Sequence, residues 1–263
     1  MGKSFYGGID VGASTAKAVI IDAEKNILGM DVCRSGYDFS ASASHVWRAA
    51  LDLAGIDEAD IKNIISTGYG RRNIEFVHQT KTEISCHARG CRHHFPFAIT
   101  VIDIGGQDNK IIKLDQAGRR LGFKMNRKCA AGTGAFLEEI AYRLNIDIGS
   151  FDGLARRSTE KVTLGSYCTV FSATEVLEKI RAGKKVEDIV SGLFTSVINR
   201  VLEMDSLTDQ VVLTGGVVAH NPFIAELLSS QINRPVLVPP HPQITGALGA
   251  ALLSLDEKDK SQI

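Results

Sequence analysis

Residues 9–17 read Ile-Asp-Val-Gly-Ala-Ser-Thr-Ala-Lys, and residues 102–110 repeat the pattern as Ile-Asp-Ile-Gly-Gly-Gln-Asp-Asn-Lys. In both, four residues separate the Gly from the Lys, and an apolar strand pattern lies on each side. Such self-similarity indicates an internal duplication. Each copy taken alone also fits a plain β-hairpin in which Asp and Gly only form the turn. Because the pattern occurs twice, we favour a duplicated ligand-binding turn.

The residue types in this turn suit a bound phosphate and a metal ion. Gly12 and Gly105 allow a ligand to approach the backbone closely, or allow positive φ. Consecutive N–H groups in a tight turn form a concavity that binds anions. We expect Asp10 and Asp103 to face each other across a cleft if the two halves pack with pseudo-twofold symmetry. Paired carboxylates beside phosphates are typical of magnesium sites.

A second pair of segments supports the duplication. Residues 64–70 read Ile-Ile-Ser-Thr-Gly-Tyr-Gly, and residues 211–217 read Val-Val-Leu-Thr-Gly-Gly-Val. Glycine after a buried strand lets a nucleotide lie against the backbone at the carboxyl end of a sheet. We therefore place Gly215 and Gly216 beside a nucleotide, whereas Gly68 also fits an ordinary strand-to-helix loop.

The stretch 129–134, Cys-Ala-Ala-Gly-Thr-Gly, places a potential metal ligand three residues ahead of a potential phosphate-binding turn. Helices are predicted to begin near Gly132 and Phe171, just after Cys129 and Cys168. A thiol at a helix N-terminus has a stabilised thiolate, which is the form that binds metal. Spacing alone nevertheless favours the interpretation that each is a small buried hydrophobic residue.

The remaining cysteines have other interpretations. Cys33, on a predicted strand, is expected in the core. A cluster or zinc held within one chain, using Cys86 and Cys91 as well, remains an alternative, because His87, His93 and His94 are close to them in sequence. Paired Cys-x-x-Cys spacing is absent from this segment.

Composition limits the function classes. The chain has 263 residues, which favours two domains. Lys plus Arg and Asp plus Glu both number 30, so the net charge gives no indication of a surface that binds nucleic acid. The sequence has no apolar window of 18 residues and no evident secretory signal. We therefore expect neither a membrane-spanning segment nor secretion of the protein. Five cysteines in a chain expected to be cytoplasmic argue against a disulfide framework.

Strand and helix patterns alternate, which predicts the α/β class. We predict one domain from residues 1–95 plus 243–263 and a second from residues 96–242, with Pro96 at the boundary. Residues 244–251 form a predicted helix of small residues that allows close backbone packing. The polar tail from residue 256 is expected to fray. Helices are predicted near residues 40–55, 82–93, 132–145, 171–182, 186–205, 221–230 and 243–254.

The repeated Asp-Gly turns and the Thr-Gly-Gly segment resemble the actin, sugar-kinase and Hsp70 ATPase superfamily. Residues 128–134, Lys-Cys-Ala-Ala-Gly-Thr-Gly, and residues 168–171, Cys-Thr-Val-Phe, narrow the resemblance. They are similar to activator ATPases of 2-hydroxyacyl-CoA dehydratases and to ATPase subunits of benzoyl-CoA reductases. The resemblance runs from about Gly8 to Leu253. It implies two ribonuclease H-like, actin-like ATPase domains related by duplication, with a nucleotide cleft between them.

The resemblance also implies cofactors, partners and roles. A [4Fe–4S] cluster needs four thiolates, so Cys129 and Cys168 from each chain of a homodimer would hold one cluster. The protein would bind ATP or ADP with Mg²⁺ and pass electrons from a ferredoxin or flavodoxin to a separate iron–sulfur dehydratase or reductase. Asp10 and Asp103 would hold magnesium, and Gln107 would position the attacking water. The other nucleotide contacts would be Gly12, Ser14, Thr15, Lys17, Gly105, Gly106, Gly132, Thr133, Gly134, Gly215 and Gly216.

One departure and two alternatives stay open. Dehydratase activators usually have an acidic residue before Lys-Cys, whereas residues 125–129 read Met-Asn-Arg-Lys-Cys, which is closer to the reductase subunits. A sugar or acyl kinase on the same fold would need an Asp general base, for which Asp108 is a candidate, but would not need the cysteines. A nucleotide-dependent regulator would need no iron.

Overall fold

The computed structural model describes residues 4–126, 129–165 and 169–260, and only the backbone of residues 169, 170 and 258–260. It contains two compact units. Unit 1 comprises Met1–Phe97, Gln116–Gly118 and Ile244–Ile263, and unit 2 comprises Ala98–Asp115 and Arg119–Gln243. The α/β class predicted from the alternating patterns is confirmed.

Unit 1 is built on a five-stranded mixed sheet in the order β3-β2-β1-β4-β5. Strands β1, β2 and β3 are antiparallel neighbours, and β4 runs parallel to β1. The strands are β1 (Phe5–Val11), β2 (Thr15–Asp22), β3 (Ile27–Arg34), β4 (Ile61–Thr67) and β5 (Gln79–Thr80), and the helices are α1 (Phe39–Ala54), α2 (Glu83–His94) and α9 (Thr245–Lys260).

Unit 2 repeats this sheet in the order β8-β7-β6-β9-β10, with the same directions at equivalent places. The strands are β6 (Ile99–Ile104), β7 (Asn109–Leu114), β8 (Arg120–Asn126), β9 (Gln210–Thr214) and β10 (Val236–Leu237). The helices are α3 (Gly134–Leu144), α4 (Phe151–Arg156), α5 (Thr169–Arg181), α6 (Val186–Leu202), α7 (Gly216–His220) and α8 (Phe223–Ile232). The internal duplication inferred from the two turns therefore extends to both whole sheets.

Each sheet is held by a helix-covered apolar core. In unit 1, α1 begins at the side chain of Asp38, which accepts a hydrogen bond from Ala41 N, and ends at Gly55 with φ of 63°. Its Trp47 is buried against the sheet. In unit 2, all six residues of β6 are buried. This burial fits a central strand of a covered sheet and fixes the strand ends from which the turns project.

The small residues of α9 allow the close packing that was predicted. A β-carbon on Gly249 would lie 1.7 Å from the carbonyl oxygen of Cys86 in α2, and one on Gly8 would lie 2.1 Å from Ala247 O. Only glycine permits these two backbone approaches. Helix α9 is thereby seated against both β1 and α2.

Replacing Gly249 with alanine is expected to lower the free energy of unfolding by about 2 kcal/mol or more, because overpacking outweighs the better helix propensity of alanine. Gly153 in α4 provides the control, since a β-carbon there would meet only Arg157 Nη1, at 3.6 Å. Gly153→Ala should be neutral or slightly stabilising. Urea unfolding of both variants checks the difference, and equal midpoints would contradict the packing argument.

Several sequence-based helix boundaries were wrong, and two of them, in α9 and α3, bear on the packing and on the site. Helix α9 continues through Lys260, whereas its polar end was expected to fray from residue 256. Arg89 donates to both carboxylate oxygens of Asp256, at 2.7 and 3.1 Å, and Lys81 pairs with Glu257. These ion pairs hold the end of the helix. Helix α3, predicted from residue 132, begins two residues later, at Gly134. The tail from residue 261 lies outside the described residues.

Candidate functional site

The first Asp-Gly turn closes the β1–β2 hairpin. Gly12 N donates to Thr15 O at 3.0 Å. Asp10 and Lys17 are opposite each other in the register, and Lys17 Nζ lies 3.4 Å from Asp10 Oδ2. Because Asp10 is only 5% exposed, this lysine provides partial compensation for a buried carboxylate. Ser35, which is not part of the turn, also stabilises it, because its Oγ donates a hydrogen bond to Gly12 O at 2.6 Å.

The second turn repeats these contacts in unit 2. Gly105 N donates to Asp108 O at 2.9 Å. Lys110 Nζ donates to Asp103 Oδ2 at 3.1 Å and to Asp108 Oδ1 at 2.7 Å. Gln107 is exposed at the tip of the turn. Both copies therefore place a lysine, a carboxylate and a tight backbone turn together, a combination that can bind phosphate and a hydrated divalent cation.

Gly68 after β4 and Gly215 after β9 lie close to the two aspartates. Gly68 and Gly215 have φ of 91° and 107°. A β-carbon placed on Gly68 would lie 2.5 Å from Asp10 Oδ1, and one placed on Gly215 would lie 2.9 Å from Asp103 Oδ1. Gly68 thus has the same environment as Gly215 and is more than an ordinary loop residue.

Positive φ occurs at these glycines and not at the first pair. Gly12 and Gly105 have no positive φ, so of the two roles that the sequence offered for them, only the close approach of the backbone remains a prediction. Their lack of a side chain serves the close turn instead, since a β-carbon on Gly105 would lie 2.8 Å from Asp108 O. Gly216 begins α7, directly after Gly215, whose N–H donates to Pro242 O at 3.0 Å.

The loop after Cys129 is hydrogen-bonded to the second turn. Gly134 N donates to Gly105 O at 2.9 Å, and Ala135 N donates to Gly106 O at 2.7 Å. Asn109, fully buried, donates through Nδ2 to the carbonyl oxygen of Gly132 at 2.7 Å. Three bonds within unit 2 therefore join the second Asp-Gly turn to the segment 129–135, in which the sequence predicted both a metal ligand and a phosphate-binding turn.

Thr133 connects this loop to Cys129. Its hydroxyl donates to Ala130 O at 2.6 Å, and its N–H donates to the same oxygen at 3.0 Å. The residue is fully buried. Since a hydroxyl has one proton, Thr133 Oγ1 cannot donate to a phosphate while it donates to Ala130.

The position of Cys129 differs from the sequence-based expectation. Helix α3 begins at Gly134 with Thr133 as its N-cap, so it does not begin near Gly132, and Cys129 precedes the N-cap by several residues. Cys129 is half-buried, and its carbonyl oxygen accepts a hydrogen bond of 3.4 Å from Asn126 Nδ2. Cys168, the other predicted cluster ligand, lies outside the described residues.

The alternative metal site on α2 lacks the required grouping. Cys86 and Cys91 are fully buried. Burial raises the pKa of the Cys86 thiol to about 12, so it stays protonated at neutral pH, which is unfavourable for a ligand. Burial, followed by the positive charge of Arg89, lowers the pKa of His93. Among the described residues, no group of three or more His, Cys, Asp or Glu is arranged to hold a metal ion.

Two residues of this site were missed as functional candidates. Lys110 was part of the repeated motif, and its equivalence to Lys17 could have identified it. Asn109 gave no sequence signal, because its role depends on Gly132, which is 23 residues away in the chain. Of the predicted residues, unit 2 brings together Asp103, the turn glycines, Thr133 and the Cys129 loop.

Comparisons of the sequence and of the structure with known proteins agree on one family. Residues 8–254 match the model of the BadF/BadG/BcrA/BcrD ATPase family. The chain is 40% identical to the 2-hydroxyisocaproyl-CoA dehydratase activator of Clostridioides difficile, over 97% of this chain and 96% of that one. A solved structure of such an activator from Clostridium difficile, with bound ADPNP, superposes with a TM-score of 0.91 at 40% identity, over 98% and 97% of the two chains.

A reductase component is also similar, but less so. One of the subunits of the benzoyl-CoA reductase of Thauera aromatica is 29% identical, over 93% of this chain and 91% of that one. Identity over the whole chain is thus higher to the dehydratase activator than to the reductase subunit, whereas the residues before Cys129 are closer to the reductase type. No helix in the described ranges is long and apolar enough to cross a membrane.

Proposed function

The chain belongs to the BadF/BadG/BcrA/BcrD ATPase family, and from this we propose that it uses ATP hydrolysis to drive electron transfer to a separate iron–sulfur dehydratase or reductase. Relatives named as dehydratase activators and the activator structure with bound ADPNP support this proposal. The observation that carries it is the hydrogen bonding of the Gly105–Gly106 turn to the loop after Cys129. That bonding makes a phosphate-binding turn and a potential metal ligand one local structure.

We propose that both Asp-Gly turns bind the same magnesium nucleotide. The contacts fit such a ligand, because Lys17 and Lys110 provide positive charge and Asp10 and Asp103 provide the hard oxygen donors that magnesium prefers. Gln107, exposed at its turn, orients the attacking water. The phosphates contact Ser14, Thr15 and Lys17 in the first turn and Gly105, Gly106 and Thr133 in the second. The remaining contacts are Gly12, Gly132, Gly134 and, beside the adenosine, Gly215 and Gly216.

For the metal group, we propose Cys129 and Cys168 as thiolate ligands. The half-buried position of Cys129, three residues after the end of the exposed strand β8, fits a ligand shared with a second chain. Two thiolates per chain and a four-thiolate [4Fe–4S] cluster require a twofold homodimer. Such a cluster supplies one-electron reduction, with a ferredoxin or flavodoxin as the source of electrons. The loop from Cys129 to Thr133 sets the position of the ligand relative to the nucleotide turn.

Anaerobic purification tests the function as a whole. The expected product is brown, contains about two iron atoms per chain and hydrolyses ATP in the presence of Mg²⁺. A colourless protein that phosphorylates a sugar or an acyl substrate would establish the kinase alternative. That alternative needs a general base, and the Asp108 carboxylate already accepts a hydrogen bond from Lys110.

Asp10→Asn and Asp103→Asn are each expected to reduce the magnesium-dependent ATPase rate about a hundredfold, because each removes charge from the metal site. Iron content should not change, since the cysteines lie on other segments. Asp205→Asn provides the control, because Asp205 pairs with Lys113 at 3.0 Å in the same unit but outside the turns. Full ATPase activity in both turn variants would refute the proposed magnesium site.

A further inference from the structure

The segment of residues 119–128 is strongly basic in a chain of balanced charge. It reads Arg-Arg-Leu-Gly-Phe-Lys-Met-Asn-Arg-Lys, with five basic residues and no acidic one, whereas the whole chain has 30 of each sign. Strand β8 occupies residues 120–126 of this segment. The proposed nucleotide and metal chemistry uses none of these basic residues.

Strand β8 is also unusually exposed. It is the outermost strand of its sheet, paired with β7 on one edge and with no strand of the described chain on the other. Leu121 is 66% exposed and Phe123 48% exposed, and the guanidinium carbon of Arg120 lies 5.5 Å from the centre of the Phe123 ring. Proteins usually protect an open edge, so apolar side chains left bare on one indicate a binding surface.

We propose that this surface, formed by Arg120, Leu121, Phe123 and Lys124 and called here the β8 surface, docks the electron-accepting protein through an acidic, partly apolar patch. The proposal rests on the proposed function. The strand ends at Asn126, whose side chain contacts the backbone of Cys129. A protein bound on β8 therefore lies beside the segment that contains the proposed cluster ligand, as electron transfer requires.

The positive charge of the β8 surface favours an acidic partner protein over a second copy of the chain. Two β8 strands paired about a twofold axis would bring Arg120 and Lys124 of one chain close to those of the other, and like charges across strands are destabilising. An acidic partner removes that repulsion and increases the rate of association. A nucleic acid fits less well, because the chain as a whole has no excess of positive charge.

The test uses the cluster-loaded protein and three purified dehydratases, those acting on 2-hydroxyisocaproyl-CoA, lactoyl-CoA and (R)-2-hydroxyglutaryl-CoA. The dehydratase that the wild type activates best is titrated at low and high salt. In the double variant Arg120→Glu/Lys124→Glu, the concentration for half-maximal activation should rise about tenfold at low salt and less at high salt. Leu121→Ser/Phe123→Ser should raise it at both salt concentrations. Arg48→Glu/Lys62→Glu, at an exposed arginine of α1 and an exposed lysine of β4 in unit 1, is the charge-matched control.

Each outcome of these titrations either supports or overturns the proposed docking on the β8 surface. ATPase rate, iron content and reduction of a dye by the variants should equal those of the wild type. Unchanged dehydratase titrations would overturn the β8 surface while leaving the proposed function intact. Variants that become monomeric and lose iron would instead assign the strand to the homodimer. Loss of binding to a single-stranded oligonucleotide, with activation unchanged, would assign it to nucleic acid. A wild type that hydrolyses ATP and reduces the dye but activates none of the three dehydratases would overturn a dehydratase as the occupant of the β8 surface.

Discussion

Cys129→Ser and Cys168→Ser are each expected to yield protein with almost no iron, against about two iron atoms per chain in the wild type. In the proposed homodimer, losing one thiolate from each chain removes two of the four ligands of the shared cluster. The proposed twofold arrangement thus doubles the effect of a single substitution. Iron analysis and the absorption spectrum of anaerobically purified protein measure the loss, and light scattering shows whether the dimer weakens with it.

Two other cysteines serve as controls for this prediction. Cys33 is half-buried like Cys129, packs against the apolar cluster of unit 1 and contacts the carbonyl oxygens of Arg34 and Ser42, so Cys33→Ser should keep its iron. Cys86→Ala should also keep it, because Cys86 packs in the apolar cluster with Ile65 and Ala250. Iron near four atoms per chain in the wild type, or iron loss in the Cys86 variant, would contradict a cluster shared between two chains.

The local sequence was sufficient to predict the two repeated hairpins, although not the full sheets around them. The apolar runs beside Asp10 and Asp103 alternate with turn residues, and these short-range patterns determine where strands start and end. The register that places each Asp opposite a Lys follows from the tight turn itself, since four residues close each hairpin. Both features depend on residues close in sequence, which explains why they could be read without a structure.

Long-range contacts were beyond the sequence. The polar end of α9 was expected to fray because its partners, Arg89 and Lys81, lie far away in the chain. Similarly, nothing near Gly134 indicated that its N–H would be bonded to the carbonyl of Gly105. Gly68 and Gly12 both follow apolar strands in the sequence, and only the path of the backbone shows which one has positive φ.

We propose that the single proton of the Thr133 hydroxyl couples the nucleotide state to the metal state. In the structure, this proton is donated to the carbonyl oxygen of Ala130, the residue after Cys129. If the hydroxyl donates to a phosphate instead, the loop loses one of the two bonds that close it. One such bond contributes about 1 kcal/mol, which is within the range of coupling energies between sites. A nucleotide alters the loop only to the extent that it binds the two arrangements with different affinity.

Thr133→Val is therefore expected to reduce the change that saturating Mg-ATP or Mg-ADP produces in the cluster's EPR spectrum, its reduction potential and its rate of loss to an iron chelator. The fold should tolerate valine, because the backbone N–H at this position, which donates to Ala130 O, is kept in the variant. Thr195→Val is the matched control, since Thr195 also donates its hydroxyl to a carbonyl, that of Ser191, within α6. It should respond to nucleotide as the wild type does. If all three measurements on the wild type are the same with and without saturating nucleotide, electron donation is still possible, but the route through Thr133 is wrong.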